Sequence, residues 1–277
     1  MKRIILSISG LLLLAIVACK KSWLTAESAS AVDTEFVFSS TGEAFGSLVG
    51  CYDLWRTSLG GMFYDIDAVG SDAECHPEAY DAQTRHIPEG LYALEISLDY
   101  PSSLGIWGNM YKVANRANMI MEAIAKKEEY KTAVANNKAN DWTQMYGEAA
   151  VFRAFAYHNL IRYFGDVPYS PVTITSTKQT DTAKLTSRDI IYDGELANLA
   201  KVAPLMYKLG EGGINAERFS KPFAYGLAGK MALYAGGYGL RRTTFDYAPV
   251  TFTQIGSEKW EAKYVRRTDY KTYYEQA

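Results

Sequence analysis

Histidine and cysteine are scarce in this chain, three of each in 277 residues. A transition-metal centre needs several such ligands at short, regular spacing. Cys75 beside His76, with His86 further on, comes nearest to that pattern and reads instead as an irregular loop. Gly-rich phosphate loops, HExxH and GxSxG are absent, so neither cofactor nor metal is expected, and the chain reads as a binder rather than an enzyme. Basic charge is not in excess either. The net charge is −2, which argues against a nucleic-acid partner, since such partners require a basic field. Beyond the N-terminus no apolar run reaches membrane-spanning length.

What the chain has in quantity is apolar surface and tyrosine. Hydrophobic residues make up 48% and aromatics 13%, too much for a disordered chain. The 21 tyrosines suit either helix packing or a wet binding surface, because the ring is flat and apolar and carries a hydroxyl. At the N-terminus, Lys2-Arg3 precede an apolar run from Ile4 to Val17 that is short for a membrane span. It ends Ile16-Val17-Ala18-Cys19, which resembles a bacterial lipobox. On that reading residues 1–18 are a lipoprotein signal peptide, Cys19 is the lipidated residue, and residues 19–39 form a tether. Each acyl CH₂ buried in a bilayer contributes roughly 0.8 kcal/mol, so two or three chains hold firmly. Cys51 and Cys75 then remain, either paired or as two inert thiols.

Ser40-Thr41-Gly42-Glu43 forms a capping box. Ala44, Phe45, Leu48, Val49, Tyr52 and Trp55 follow at helical spacing, up to Gly60-Gly61. Residues 62–103 lack a sustained period and carry several tyrosines; a long irregular excursion of this kind is usually functional. A second helix is expected from Leu104 to Lys127, with Trp107 on its apolar stripe and assigned to the core. A third runs from Trp142 to Phe164, its charges Glu148, Arg153 and Arg162, and stops at Gly165 as a left-handed cap. After a Thr-rich loop (173–182), Thr186-x-x-Asp189 opens a fourth helix carrying Ile190, Ile191, Leu196 and Leu199. Ser220 caps a fifth, with Pro222 in its first turn and Ala224, Ala228, Gly229 and Ala232 as small contact residues. Aromatics on one helix facing small residues on the next suggest a mainly α fold of tetratricopeptide-like helix pairs with long irregular loops. Tyr270–Ala277 is helical in pattern and uncapped, so a C-terminally truncated domain over residues 40–277 is expected.

His158, inside the third helix, reads as packed and hydrogen-bonded. Asp65, Asp67, Asp72 and Glu74 form an acidic cluster without EF-hand spacing. A hydrolase hidden there would depend on Asp72 or Glu74. The third helix continues into a more specific signal. The string from Gly147-Glu148-Ala149 through Arg153-Ala154-Phe155-Ala156-Tyr157 to Phe164-Gly165-Asp166-Val167-Pro168 resembles the signature of the SusD/RagB family of nutrient-binding outer-membrane lipoproteins. Trp107-x-x-x-Tyr111 leading to Asn115 and Asn118, Ser187-Arg188-Asp189, and the Ala-rich helix after Phe219 agree in order.

The resemblance implies helix pairs bearing ligand loops and a location at the cell outer membrane, lipid-anchored. It also implies a SusC-like TonB-dependent outer-membrane transporter as partner and an oligosaccharide or polysaccharide as cargo. No catalysis is implied. Lys20-Lys21-Ser22 after Cys19 leave surface and periplasmic faces both open. The family's N-terminal ligand contacts come from the excursion between the first two helices, which singles out Tyr80 and Tyr92 as stacking platforms and Arg85 as a hydroxyl clamp. The competing expectation is a non-catalytic tetratricopeptide-like interaction scaffold without glycan affinity of its own.

Overall fold

Each of the five periodic stretches forms a helix in the computed structural model, which describes residues 34–59, 101–242 and 262–277, with the backbone alone for 34, 101–104 and 262. The chain divides into two units, Met1–Val37 and Phe38–Ala277. The described part of the first is one helical turn, Thr34–Val37. Everything below concerns the second. Among the described residues no helix is long and apolar enough to cross a membrane.

Helix α1 spans Thr41–Leu59, and its Glu43 N–H donates to Ser40 Oγ at 3.3 Å, as a Ser N-cap should. Its buried face is Ala44, Leu48, Cys51 and Ser58; Val49, placed on the stripe by spacing, is exposed. Helix α2 spans Pro101–Ile124 and begins earlier than its apolar pattern does. A short helix α3, Glu128–Ala135, was not expected. Helix α4 spans Asp141–Phe164. It is capped by a reciprocal pair, Thr143 N–H to Asn140 Oδ1 (2.9 Å) and Asn140 N–H to Thr143 Oγ1 (2.8 Å). Gly165 ends it with φ 75° but ψ −127°, a positive-φ turn outside the left-handed helical well that glycine adopts without steric cost.

Short helix α5, Thr177–Asp181, lies within the Thr-rich segment. Helix α6 spans Arg188–Val202, capped by Ser187 rather than Thr186; Ile190 on it is exposed. Helix α7 spans Lys221–Gly236, and Ser220 at its N-cap makes no side-chain capping bond. Helix α8 spans Tyr270–Gln276.

Consecutive long helices pack side by side in chain order, α1 on α2, α2 on α4, α4 on α6, α6 on α7 and α7 on α8. This is the mainly α, tetratricopeptide-like arrangement expected from the sequence. α4 also meets α1, α3 and α7 and is buried on every side from Gly147 to Ile161. A helix with no solvent face must be apolar or small nearly all round, which is why this stretch reads Ala-Ala-Val-Phe and Ala-Phe-Ala. Of the small residues foreseen on α7, Gly229 sits at a close approach, where a Cβ would lie 3.1 Å from the Ala277 carbonyl oxygen, and Gly236, not among them, sits at a tighter one. A Cβ on Gly236 would lie 2.8 Å from the Tyr274 ring and 2.9 Å from the Tyr270 carbonyl oxygen, so glycine there lets α8 seat closely.

Two short antiparallel ladders, not foreseen, complete the fold. β1 (Val167–Pro168) pairs with β2 (Leu185–Thr186), and β3 (Gly239–Arg242) with β4 (Ala262–Val265), Leu240 opposite Tyr264. Runs of two to four residues are too short to show alternation above noise.

Candidate functional site

Two of the charges of α4, Glu148 and Arg153, are interior. Arg153 and Glu195 are buried, with Arg153 Nε 3.0 Å from Glu195 Oε1. Arg153 Nη1 donates to Asn118 Oδ1 (3.0 Å) and to the Pro171 carbonyl (3.2 Å). Tyr169 donates to Glu195 at 2.7 Å. Burial raises the Glu195 carboxyl above its ordinary range, with Arg153 and the Tyr169 hydroxyl acting against it. Asn118 Nδ2 reaches the carbonyls of Ser170 and Val172, and Asn115 exchanges two bonds with the backbone of Ile174. Tyr111 donates to the Pro168 carbonyl at 2.8 Å, and Ser170 N–H donates to the Tyr157 hydroxyl at 3.0 Å. The motif residues of α2 and α4, with Glu195 of α6 beside them, therefore converge on one target, the extended segment 168–174. That segment is half-buried to exposed, and these side chains supply its peptide groups with partners that a helix or sheet would otherwise provide.

A second network does the same for residues 207–221. Glu148, fully buried, accepts from Tyr52 (2.6 Å), from Gln144 (3.0 Å) and from the Arg218 guanidinium. The Tyr52 hydroxyl in turn accepts from Phe219 N–H at 2.7 Å, and Gln144 bonds Phe219 O and Tyr207 N. Tyr52, Trp55, Phe152 and Phe219 close over it in edge-to-face and tilted pairs, 4.6–6.3 Å apart. Arg218 also lies over the Phe45 ring at 4.5 Å and borders an open pocket of about 230 Å³.

His158 is packed and hydrogen-bonded as expected, its Nδ1 3.1 Å from the Tyr192 hydroxyl. Burial, then Arg162, Lys230 and Arg188, lower its pKa to about 3. Cys51 is a buried thiol, pushed up to about 12 by burial, so it is inert as a nucleophile. Among the described residues no three His, Cys, Asp or Glu gather to hold a metal.

Cys19, Tyr80, Arg85, Tyr92, Cys75, His76, His86 and the acidic cluster Asp65–Glu74 lie outside the described residues. Trp107 requires a correction. Assigned to the core by its spacing, it is 37% exposed. Its ring packs on Phe164 (5.0 Å, 89°) and Tyr111 (4.9 Å), but α4 ends at Phe164, so the indole is covered from that side and open elsewhere.

The sequence reading missed an aromatic surface at the other end of the helix row. Leu240 and Tyr264 are directly opposed, so Tyr238 and Arg266 share their side of the β3–β4 ladder. Tyr238 and Tyr264 are 56% and 71% exposed and nearly parallel, 14° apart. Arg266 lies over Tyr238 at 4.4 Å and over Tyr270 at 4.5 Å. The far side of the ladder is tied down by Arg241, bidentate on Asp189 (2.8 and 3.0 Å). Tyr238-x-Leu240 and Tyr264-x-Arg266 do carry a period of two, but only for one repeat.

Stacked helix pairs, pinned loops and an exposed aromatic ladder define a helical-repeat scaffold among the described residues. The family profile described as SusD-like, starch-binding and associating with the outer membrane, matches residues 65–233. The chain belongs to this SusD/RagB family. A curated SusD-like protein, P2 from Formosa agariphila, is 28% identical over 93 residues, which is 34% of this chain and 17% of that one. A laminarin-binding SusD-like protein superposes with a TM-score of 0.55 at 20% identity, over 70% of this chain and 40% of that chain. A SusD homologue from Bacteroides thetaiotaomicron gives 0.54 at 20%, over 71% and 36%. A SusD-like carbohydrate-binding protein from Bacteroides vulgatus gives 0.52 at 20%, over 71% and 42%. At these identities the likeness is one of fold, and the chain spans less than half the length of these solved relatives.

Proposed function

We propose that this chain belongs to a lipid-anchored, non-catalytic glycan-binding protein of the outer membrane that presents oligosaccharides to a SusC-like TonB-dependent transporter. The observation that carries this reading is the family match over residues 65–233. The network-forming residues support it: Asn118, Arg153, Tyr157 and Asp166 belong to the motif strings that the resemblance rests on, and all of them hold backbone in place. A protein that invests its motif in pinning loops suits binding through those loops. The names of relatives with the same fold, laminarin-binding and carbohydrate-binding, point to the same ligand class. On this reading residues 1–18 are removed, Cys19 is acylated, 19–39 is the tether and 40–277 the helical domain, with Tyr80, Arg85 and Tyr92 touching sugar.

Mature protein beginning at Cys19, screened by titration against a broad glycan panel, should bind at least one polysaccharide in the micromolar-to-millimolar range. Tyr80→Ala and Tyr92→Ala should weaken that binding. Labelled palmitate should enter the wild type and not Cys19→Ala. A folded protein that binds no glycan, yet co-purifies with a large β-barrel, would overturn the ligand half and leave a pure interaction scaffold.

A further inference from the structure

We propose that the outer face of the β3–β4 ladder is a saccharide subsite selective for sugars bearing an oxyanion, a carboxylate or a sulfate; this rests on the glycan-binding reading above. The arginines around the ladder divide into two kinds. Arg241 pairs with Asp189, Arg242 with Asp166, and Arg267 with both Asp193 and Asp269. Among the described residues no carboxylate meets Arg266. Its guanidinium is sandwiched between the Tyr238 and Tyr270 rings, and it donates to the Tyr238 hydroxyl at 3.2 Å and to Tyr274.

Both flat faces of that cation are therefore covered, and what remains is its edge. Five N–H donors lie along a guanidinium edge in a geometry that matches a carboxylate or sulfate, and the tyrosine hydroxyls engage only part of it. Beside it stands Tyr264, 71% exposed, its ring nearly parallel to and 5.9 Å from that of Tyr238, which Arg266 overlies. A flat, exposed phenol ring accepts the apolar face of a pyranose at little entropic cost, because it has few rotamers to lose. A cation held edge-out next to a stacking ring fits an acidic pyranose better than a neutral one. The platform is also rigid, since Arg241 anchors the ladder to α6 and Arg267 ties the following turn to Asp193 on the same helix.

The test is calorimetric titration of the mature chain with three probes: an oligogalacturonate (carboxylate), a carrageenan oligosaccharide (sulfate) and a laminari-oligosaccharide (neutral). At least one acidic probe should bind about tenfold tighter than the neutral one, with affinity falling as salt rises. Tyr264→Ala should weaken the acidic probe about tenfold, as loss of a stacking ring does. Arg266→Met should abolish the preference for acidic over neutral probe, and Arg266→Lys should restore it only in part, having charge without the fork. Tyr225→Ala, an exposed tyrosine of α7, should change nothing.

Should Arg266→Met fold poorly, Tyr264→Ala decides, because that ring is 71% exposed and supports little packing. Neutral binding without acidic binding, or acidic binding untouched by Tyr264→Ala, would overturn the subsite and leave the glycan-binding reading standing. Absence of all saccharide binding would overturn both. Concentration-dependent dimerisation lost in Tyr264→Ala, without sugar affinity, would reassign the face to self-association.

Discussion

Two clusters in this molecule are built from the same parts, arginine and tyrosine, and differ in almost every physical respect. Around Arg153 the guanidinium is buried, paired with Glu195, and bonded to Asn118 and the Pro171 carbonyl. Around Arg266 the partners are ring faces and hydroxyls at the surface. Removing a buried partner strands the remaining charge away from water, whereas removing a surface partner hands it to solvent. The first cluster should therefore govern folding and the second should govern what the surface recognises.

The largest expected effect breaks the buried cluster. Arg153→Met should cost about 3–5 kcal/mol in denaturant unfolding, because Glu195 loses its counter-charge while remaining buried. Adding Glu195→Gln should recover a measurable part of that loss, and a double variant no more stable than the single would contradict the pairing. The next effect is on pH. His158 has a folded pKa of about 3, below the ordinary 6.5, so the unfolded chain binds the extra proton. Its contribution is complete above pH 6.5 and is lost as pH falls toward 3. The loss is on the order of 4 kcal/mol over that window. The difference in unfolding free energy between wild type and His158→Gln should narrow steadily from pH 7 to 3.5, and a constant difference would refute the assignment. The smallest effect sharpens the contrast from the other side. Tyr264→Ala should shift stability by no more than about 0.5 kcal/mol, as an exposed substitution does. A larger loss would mean that the surface ladder also supports the fold.

Much of the scaffold was legible. The helical spacing in α1, α2, α4, α6 and α7 reflects a one-sided or all-round need for burial, and that need is written in residue type. The stop at Gly165 and the close approach at Gly229 and Gly236 follow from the absence of a Cβ, which is equally a sequence property. Less was legible about individual side chains. Trp107 obeys the stripe yet emerges beyond the end of its partner helix, because spacing reports the angle around a helix and not how far the neighbour extends. Arg153 and Glu148 read as ordinary helix charges. Their burial became visible only when Glu195, 42 residues away, and Arg218, 70 residues away, came into contact. The Arg266 ladder escaped for the same reason, its rings arriving from the residue before β3, from β4 and from α8.

The amino-acid order by itself determined the helices, their stops and the family motif, because these depend on local backbone preference and on which residues shun water. Tertiary packing decided which charges are interior, which loops are pinned and which arginine meets no carboxylate among the described residues. Those properties belong to pairs of groups far apart in the chain, and a pair has no energy until folding has set its distance and the dielectric between its members.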